Sequence, residues 1–188
     1  MSEDGLKDAV IVTFLLFFST LLIGWVGTAQ HPEIGQQFMR LFEKEVAGQI
    51  MGGSSLDIGL KIFSNNLEAC ILLFLGGASF GILTIFIMSL NGIVIGAIME
   101  LVHKQHSSLF VAAAILPHGI FEIPGFVIAG ALGILLAQSL VNEYYGNGDA
   151  AAQAKHLSRS FVVLVLPLIT VAALVEAFIT PQVIQLVV

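Results

Sequence analysis

Long uncharged stretches alternate with short polar ones along the chain. Ala9–Ala29 carry no charge over 21 positions and Ala69–Met99 carry none over 31, while a third apolar run occupies Ser107–Asn142. About 20 apolar residues suffice for a helix to cross a bilayer, and the edges of an open sheet cannot be satisfied in lipid. The pattern therefore predicts membrane-spanning helices and excludes an open sheet.

The two longer runs each contain a predicted break. Ala69–Met99 is too long for one span and too short for two full spans with a loop, so we expect a turn at Gly76–Gly81. In Ser107–Asn142, proline lacks the N–H that would bond to the preceding turn. Here we expect a short leg ending at Leu116, a break at Pro117, and a span to about Val141 that is bent at Pro124.

The segments between the apolar runs show amphipathic patterns and residues that suit helix N-caps. Between Pro32 and Phe63 apolar residues recur at helical spacing with charged residues on other faces, so we expect a helix lying along the membrane surface or over the bundle. Gly52 and Gly53 interrupt this pattern, and Ser54 or Ser55 then suits the N-cap of a second short helix. Further on, Asp149 suits an N-cap before the last span, which we expect to bend at Pro167 and end at Pro181.

Together these signals predict an all-α fold, a polytopic transmembrane helical bundle of about five spans with two broken or re-entrant segments. We expect a single transmembrane domain over residues 1–188. It divides into a first span (9–29), an amphipathic interfacial segment (32–63), a core with the two broken segments (64–141), and a last span with its tail (149–188).

Composition supports a multi-pass protein of the cell membrane, with the lipid bilayer as its surroundings. Hydrophobic residues make up 57% of the chain and charged residues only 11%, against about 25% charged in soluble domains; mean hydropathy is +0.97. The net charge of -6 is dispersed, which argues against nucleic acid as a partner. Lys and Arg are too evenly divided to orient the chain, and the single Cys70 excludes an intrachain disulfide.

Several polar side chains lie where apolar sequence predicts the membrane interior. His118 and Glu122 are one helical turn apart and share a face. Because ionisable residues at such depth are costly, they are candidates for a functional site. Asn65, Asn66 and Glu68 open the first broken segment and Asn91 lies midway along it, whereas we expect Glu100, His103 and Glu176 to be interfacial.

Three interpretations of this polar centre remain open. His118, Glu122 and Glu68 would suit a divalent metal ion, zinc above all, with an open position for water, as in a hydrolytic site; the His-Glu-x-x-His motif is absent. Alternatively, the asparagines and His118 satisfy backbone groups freed at helix breaks, with Glu122 neutral or paired to His118. In the third interpretation, a carboxylate carries protons or ions.

Small residues and aromatic residues suggest contacts at the bundle surface. Small residues four apart allow helices to approach closely, so we expect a homodimer through a glycine face, unless these glycines are used within the monomer; they are Gly77, Gly81, Gly92 and Gly96. Trp25, Tyr144 and Tyr145 flank uncharged runs, and we expect them near membrane interfaces.

The order of motifs resembles that of the stage II sporulation protein M family of integral membrane proteins. The similarity covers roughly residues 63–140. It is carried by three groups of residues: Ser64-Asn65-Asn66-Leu67-Glu68 with Gly76-Gly77 and Gly81, then Asn91-Gly92 with Gly96, then Pro117-His118-Gly119 with Glu122.

This resemblance implies a multi-span membrane protein centred on Asn66, Asn91, His118 and Glu122. In spore-forming bacteria such proteins take part in engulfment as a membrane component beside peptidoglycan-remodelling enzymes, and the family extends to organisms that make no spores. We therefore expect a membrane scaffold or channel-like component that contacts other membrane proteins. The alternatives are an intramembrane metal-dependent hydrolase and a small ion- or proton-coupled transporter.

Overall fold

The computed structural model describes residues 3–42 and 54–187, with side chains for 5–40 and 54–187. Within these ranges the chain is helical and contains no strand, which confirms the predicted all-α class. The helices are α1 (Glu3–Gln30), α2 (Pro32–Phe42), α3 (Ser55–Leu75), α4 (Ile82–Gln105), α5 (Ser108–Tyr144), α6 (Ala150–Ser160), α7 (Leu166–Phe178) and α8 (Thr180–Gln185).

Five of the described segments are long and apolar enough to cross a membrane, as the uncharged runs predicted. They are Gly5–Gln30, Ser55–Ser79, Ile82–Gln105, Ser108–Tyr144 and Ala150–Gln185. The last of these consists of α6, α7 and α8; a π-helical turn at Phe161–Val165 joins α6 to α7, and Ile179 joins α7 to α8.

Helix α5 is the centre of the bundle. It packs against α1, α3, α4, α6, α7 and α8, and most of its apolar window is buried. Its middle section, from Gly125 to Ala137, is largely composed of buried small and aliphatic residues. The other candidate spans direct large apolar side chains outward, as expected for helices whose outer face contacts lipid.

The predicted turn at Gly76–Gly81 separates α3 from α4. A short 3-10 helix covers Gly76–Ser79, after which Phe80 and Gly81 adopt positive φ angles of 54° and 83°. Thr84 then donates from Oγ1 to the carbonyl oxygen of Leu73 at 2.8 Å, in a buried position. The turn and this hydrogen bond hold α3 and α4 as two separate spans.

The predicted break at Pro117 is wrong. Both Pro117 and Pro124 lie inside α5, which continues over 37 residues. A proline removes one backbone hydrogen bond, but in membrane helices small backbone adjustments and neighbouring helices compensate for that loss. The short leg ending at Leu116 and the span beginning at Gly119 are therefore parts of one helix.

The interfacial segment predicted for residues 32–63 is only partly described. Its first part is α2, which packs against α1 and α4, whereas residues 43–53, including the predicted break at Gly52 and Gly53, lie outside the described residues. The second short helix is not separate, because Ser54 caps α3 itself. Its side chain accepts from Asp57 N, and the Asp57 carboxylate accepts from Ser54 N at 2.9 Å.

The last span begins as the sequence predicted. Asp149 caps α6 by accepting from the backbone N–H of Ala152 at 2.8 Å. The π-helical turn Phe161–Val165 directly precedes Pro167. Proline lacks a backbone N–H, so one hydrogen bond of the helix is missing here. A widened turn relieves the resulting mismatch in the backbone hydrogen-bond pattern. The helix ends at Phe178, and Pro181 lies in the first turn of α8.

The glycines of the predicted dimer face lie against neighbouring helices of the same chain. A Cβ added at Gly77 would overlap the carbonyl of Gly133 on α5, and a Cβ at Gly92 or Gly96 would overlap α1 backbone or side-chain atoms. A Cβ added at Gly81 would lie 3.3 Å from the Cβ of Ala137. The homodimer itself stays a prediction, and the structure favours the alternative in which these glycines are used within the monomer.

Candidate functional site: a histidine between two glutamates

His118 lies between two carboxylates that come from two helices. Its Nδ1 is 2.5 Å from Oε2 of Glu176 on α7, and its Nε2 is 4.0 Å from Oε2 of Glu122, one turn further along α5. The first distance is a close ion-pair contact; the second is an electrostatic contact beyond hydrogen-bonding range. The predicted pairing of His118 with Glu122 is therefore present, but the stronger partner is Glu176.

Helix α3 completes the surroundings of these groups. The Asn66 side chain is a hydrogen-bonding neighbour of the Glu122 carboxylate, and Asn66 is buried. One turn further along α3, Cys70 is fully buried and close enough to interact with the Glu122 charge. Because α3, α5 and α7 all pack against one another, the polar centre lies where three candidate spans meet.

The polar centre is largely, but not completely, shielded. The side chains of His118, Glu122 and Glu176 are 18%, 19% and 31% exposed, respectively. If His118 is protonated and both carboxylates are charged, one negative charge remains, and the Asn66 amide lies next to Glu122, the carboxylate farther from His118. His118 thus lies between two carboxylates that can share its positive charge.

The other predicted members of the centre lie elsewhere. Glu68 and Asn65 are exposed and line a surface depression with Lys61 and Ser64. Asn91 is half-buried on α4 and donates from Nδ2 to Ile87 O of its own helix at 2.9 Å. The structure thus brings Asn66 to His118 and Glu122, and it does not bring Glu68, Asn65 or Asn91 to them.

The zinc site predicted for His118, Glu122 and Glu68 receives no geometric support. Within residues 5–40 and 54–187, no group of three or more His, Cys, Asp or Glu side chains is arranged to hold a metal ion. His118 already binds Glu176 through Nδ1, and Glu68 lies on the outer surface of α3. Metal binding and the hydrolase that depends on it stay predictions.

Glu176 is the member of this centre that the sequence pattern does not predict. Its position near the predicted end of the last span favours a place at the membrane interface instead. A signal was nevertheless present, because Glu176 is the only charged residue between Ser160 and Val188. The same criterion, an isolated charge in an apolar run, had selected Glu122.

Glu100 and His103, the other two residues expected at an interface, lie near the place where the end of α4 contacts the end of α1. Glu100 is buried and pairs with Lys104 at 3.5 Å, and Lys104 donates to the carbonyl oxygens of Thr28 and Ala29 at 3.3 Å. Lysine thus satisfies carbonyls that the end of α1 leaves free. The Trp25 ring lies 5.7 Å from the His103 ring at the same end of the bundle.

Two uncharacterized proteins of Methanocaldococcus jannaschii are similar to the chain over nearly its whole length. One is 28% identical over 177 residues, covering 91% of this chain and 79% of the relative. The other is 25% identical over 182 residues, covering 95% of this chain and 97% of the relative. No solved structure matches the chain.

The family comparison covers most of the described structure. The model of the family described as stage II sporulation protein M matches residues 13–181. This range contains the second, third and fourth candidate spans whole, most of the first and last ones, and every member of the polar centre. The chain is therefore an integral membrane protein that belongs to the stage II sporulation protein M family.

Proposed function

We propose that the chain is a multi-pass protein of the cell membrane that acts as a scaffold, with the polar centre fixing the arrangement of its central helices. The contact between His118 on α5 and Glu176 on α7 is the observation that carries this proposal. A short contact between ionisable groups on two packed helices restricts how they slide or rotate against each other. Asn66 on α3 is a neighbour of the Glu122 carboxylate on α5, so α3 is held in the same arrangement.

The packing around α5 supports a fixed framework. Side-chain oxygens at two further positions bond directly to the backbone of a neighbouring helix: Thr13 donates to Val127 O at 3.0 Å and Thr84 donates to Leu73 O at 2.8 Å. Glycines bring α1 against α4 and the α3–α4 turn against α5. A bundle joined in this way offers other membrane proteins a surface of constant shape.

A channel-like or proton-coupled role is the second candidate. It is favoured by the incomplete burial of His118, Glu122 and Glu176, because a partly exposed pair of carboxylates with a histidine can exchange protons with water. The section of α5 beyond Glu122 is mostly buried apolar residues and glycines, which offers no continuous series of polar groups toward Tyr144. That packing favours the scaffold.

Proton flux distinguishes the two roles. The purified protein is reconstituted into liposomes that enclose a pH-sensitive dye, and a pH step is applied with valinomycin present to remove the charge imbalance. A scaffold should give the slow leak of protein-free liposomes. A faster flux would contradict the scaffold. If Glu122→Gln abolished that flux and the exposed control Glu68→Gln retained it, the channel-like role would be supported instead.

A further inference from the structure

A polar depression and an apolar groove share one wall at the end of α5. The depression, about 340 Å³, lies between α5, the following loop, α6 and the start of α1, and its polar side chains are Gln138, Ser139, Asn142, Asn147, Asp149 and Gln153. The groove, about 270 Å³, runs between α5 and the start of α4, and its apolar side chains are Phe80, Ile85, Ile134, Ala137 and Val141. Gln138 and Asn142 line both.

The groove opens toward the space that lipid fills. Phe80 and Ile85 are 62% and 48% exposed at its rim. They belong to the α3–α4 turn and to a candidate span, so their outer faces meet acyl chains. The depression lies on the other side of Gln138 and Asn142, against the loop that follows α5 and the start of α1. Both cavities follow the same stretch of α5, so an apolar and a polar surface lie next to each other there, as the acyl and headgroup parts of a lipid do.

The side-chain amides of the depression are available to a ligand. Those of Gln138, Asn142, Asn147 and Gln153 form no hydrogen bond with any residue that the structure describes, although their backbones take part in the local turns. Each amide both donates and accepts. A set of such groups suits hydroxyls, which also do both.

Charge selects among lipid headgroups. No Lys or Arg is among the residues lining the depression, whereas Asp149 is. A phosphate would meet a carboxylate there without a cation to pair with it, which is unfavourable. A sugar would meet the amides and the Asp149 carboxylate, whose Oδ1 caps α6 and whose other oxygen can accept from a hydroxyl.

We infer that this end of the bundle binds a neutral glycolipid, with an acyl chain in the groove and the sugar in the amide-lined depression. The apolar groove suits the acyl chain of a glycolipid, and the polar depression suits its sugar. The site lies at the opposite end of α5 from His118, so it is independent of the proposed scaffold role.

Native mass spectrometry of the full chain tests the inference. The protein is released from lauryldimethylamine oxide, a detergent without sugar, and titrated with digalactosyldiacylglycerol and with phosphatidylglycerol of the same acyl chains. We expect the glycolipid to remain bound at concentrations where phosphatidylglycerol does not. Equal or stronger retention of phosphatidylglycerol would overturn the headgroup assignment.

Two variants and a soluble sugar complete the test. Asn147→Ala combined with Gln153→Ala removes two amides and should weaken glycolipid binding about tenfold, because the sugar loses the hydrogen bonds that these amides make. Gln36→Ala, an exposed glutamine on α2, is the matched control and should leave binding unchanged. Wild-type affinity in the double variant, or lactose binding as tightly as the glycolipid, would contradict the inference.

Discussion

The contact between α1 and α4 makes a specific prediction for Gly96→Ala. A Cβ at this position would overlap Leu21 O and lie only 2.9 Å from Trp25 N, both of them α1 backbone atoms. Backbone cannot rotate away as a side chain can, so the two helices must separate by about 1 Å, a form of overpacking that costs roughly 1–3 kcal/mol.

Gly27→Ala is the matched control, because nothing lies within 4 Å of a Cβ at Gly27 on α1. Both substitutions bring the same gain in helix propensity, about 1 kcal/mol. The difference between the two variants therefore isolates the overlap. At about 2–4 °C per kcal/mol for a chain of this size, we expect Gly96→Ala to melt roughly 2–12 °C below Gly27→Ala.

Thermal unfolding in one detergent, followed by circular dichroism, measures this difference. Trp25 is the only tryptophan and its ring lies 5.7 Å from that of His103 on α4. Its fluorescence should therefore change in Gly96→Ala when the helices separate. Equal melting temperatures for the two variants, with unchanged Trp25 emission, would refute the close approach of α1 and α4.

Three further predictions concern other contacts. His118→Ala and Glu176→Gln should each lower the melting temperature, and the double variant should lose clearly less than the two losses summed, because both remove the same contact; additive losses would mean that the two residues act separately. Thr84→Val should cost about 1 kcal/mol through the lost hydrogen bond to Leu73 O, again measured by melting, and a neutral result would show that this bond contributes nothing. Lipid-attached quenchers should find Trp25 shallow, near the membrane interface, whereas maximal quenching by probes at the bilayer centre would contradict that placement.

The sequence predicted those features that depend on local chemistry. Uncharged runs identified the spans because the cost of burying charge in lipid acts residue by residue. The turn at Gly76–Gly81 and the caps at Ser54 and Asp149 follow from backbone freedom and side-chain hydrogen bonding within a few positions. These signals need no knowledge of which helices become neighbours.

The composition of the polar centre depends on helix packing, which the sequence does not display. Asn66 and Glu68 are two positions apart and so lie about 200° apart around α3; only the packing of α3 decides which of them faces Glu122. The continuity of α5 through Pro117 likewise depends on neighbouring helices compensating for the lost hydrogen bond. Glu176 joins His118 from a helix that begins more than 40 residues later in the chain.

The length of α5 has a consequence for the membrane itself. At 1.5 Å per residue its 37 residues extend about 55 Å, against roughly 30 Å for the hydrocarbon core. An upright α5 would project about 25 Å of helix, much of it apolar, beyond the acyl chains. The helix must therefore tilt or bend, or the bilayer around it must thicken, and such hydrophobic mismatch favours accumulation of the protein in the thicker regions of a membrane.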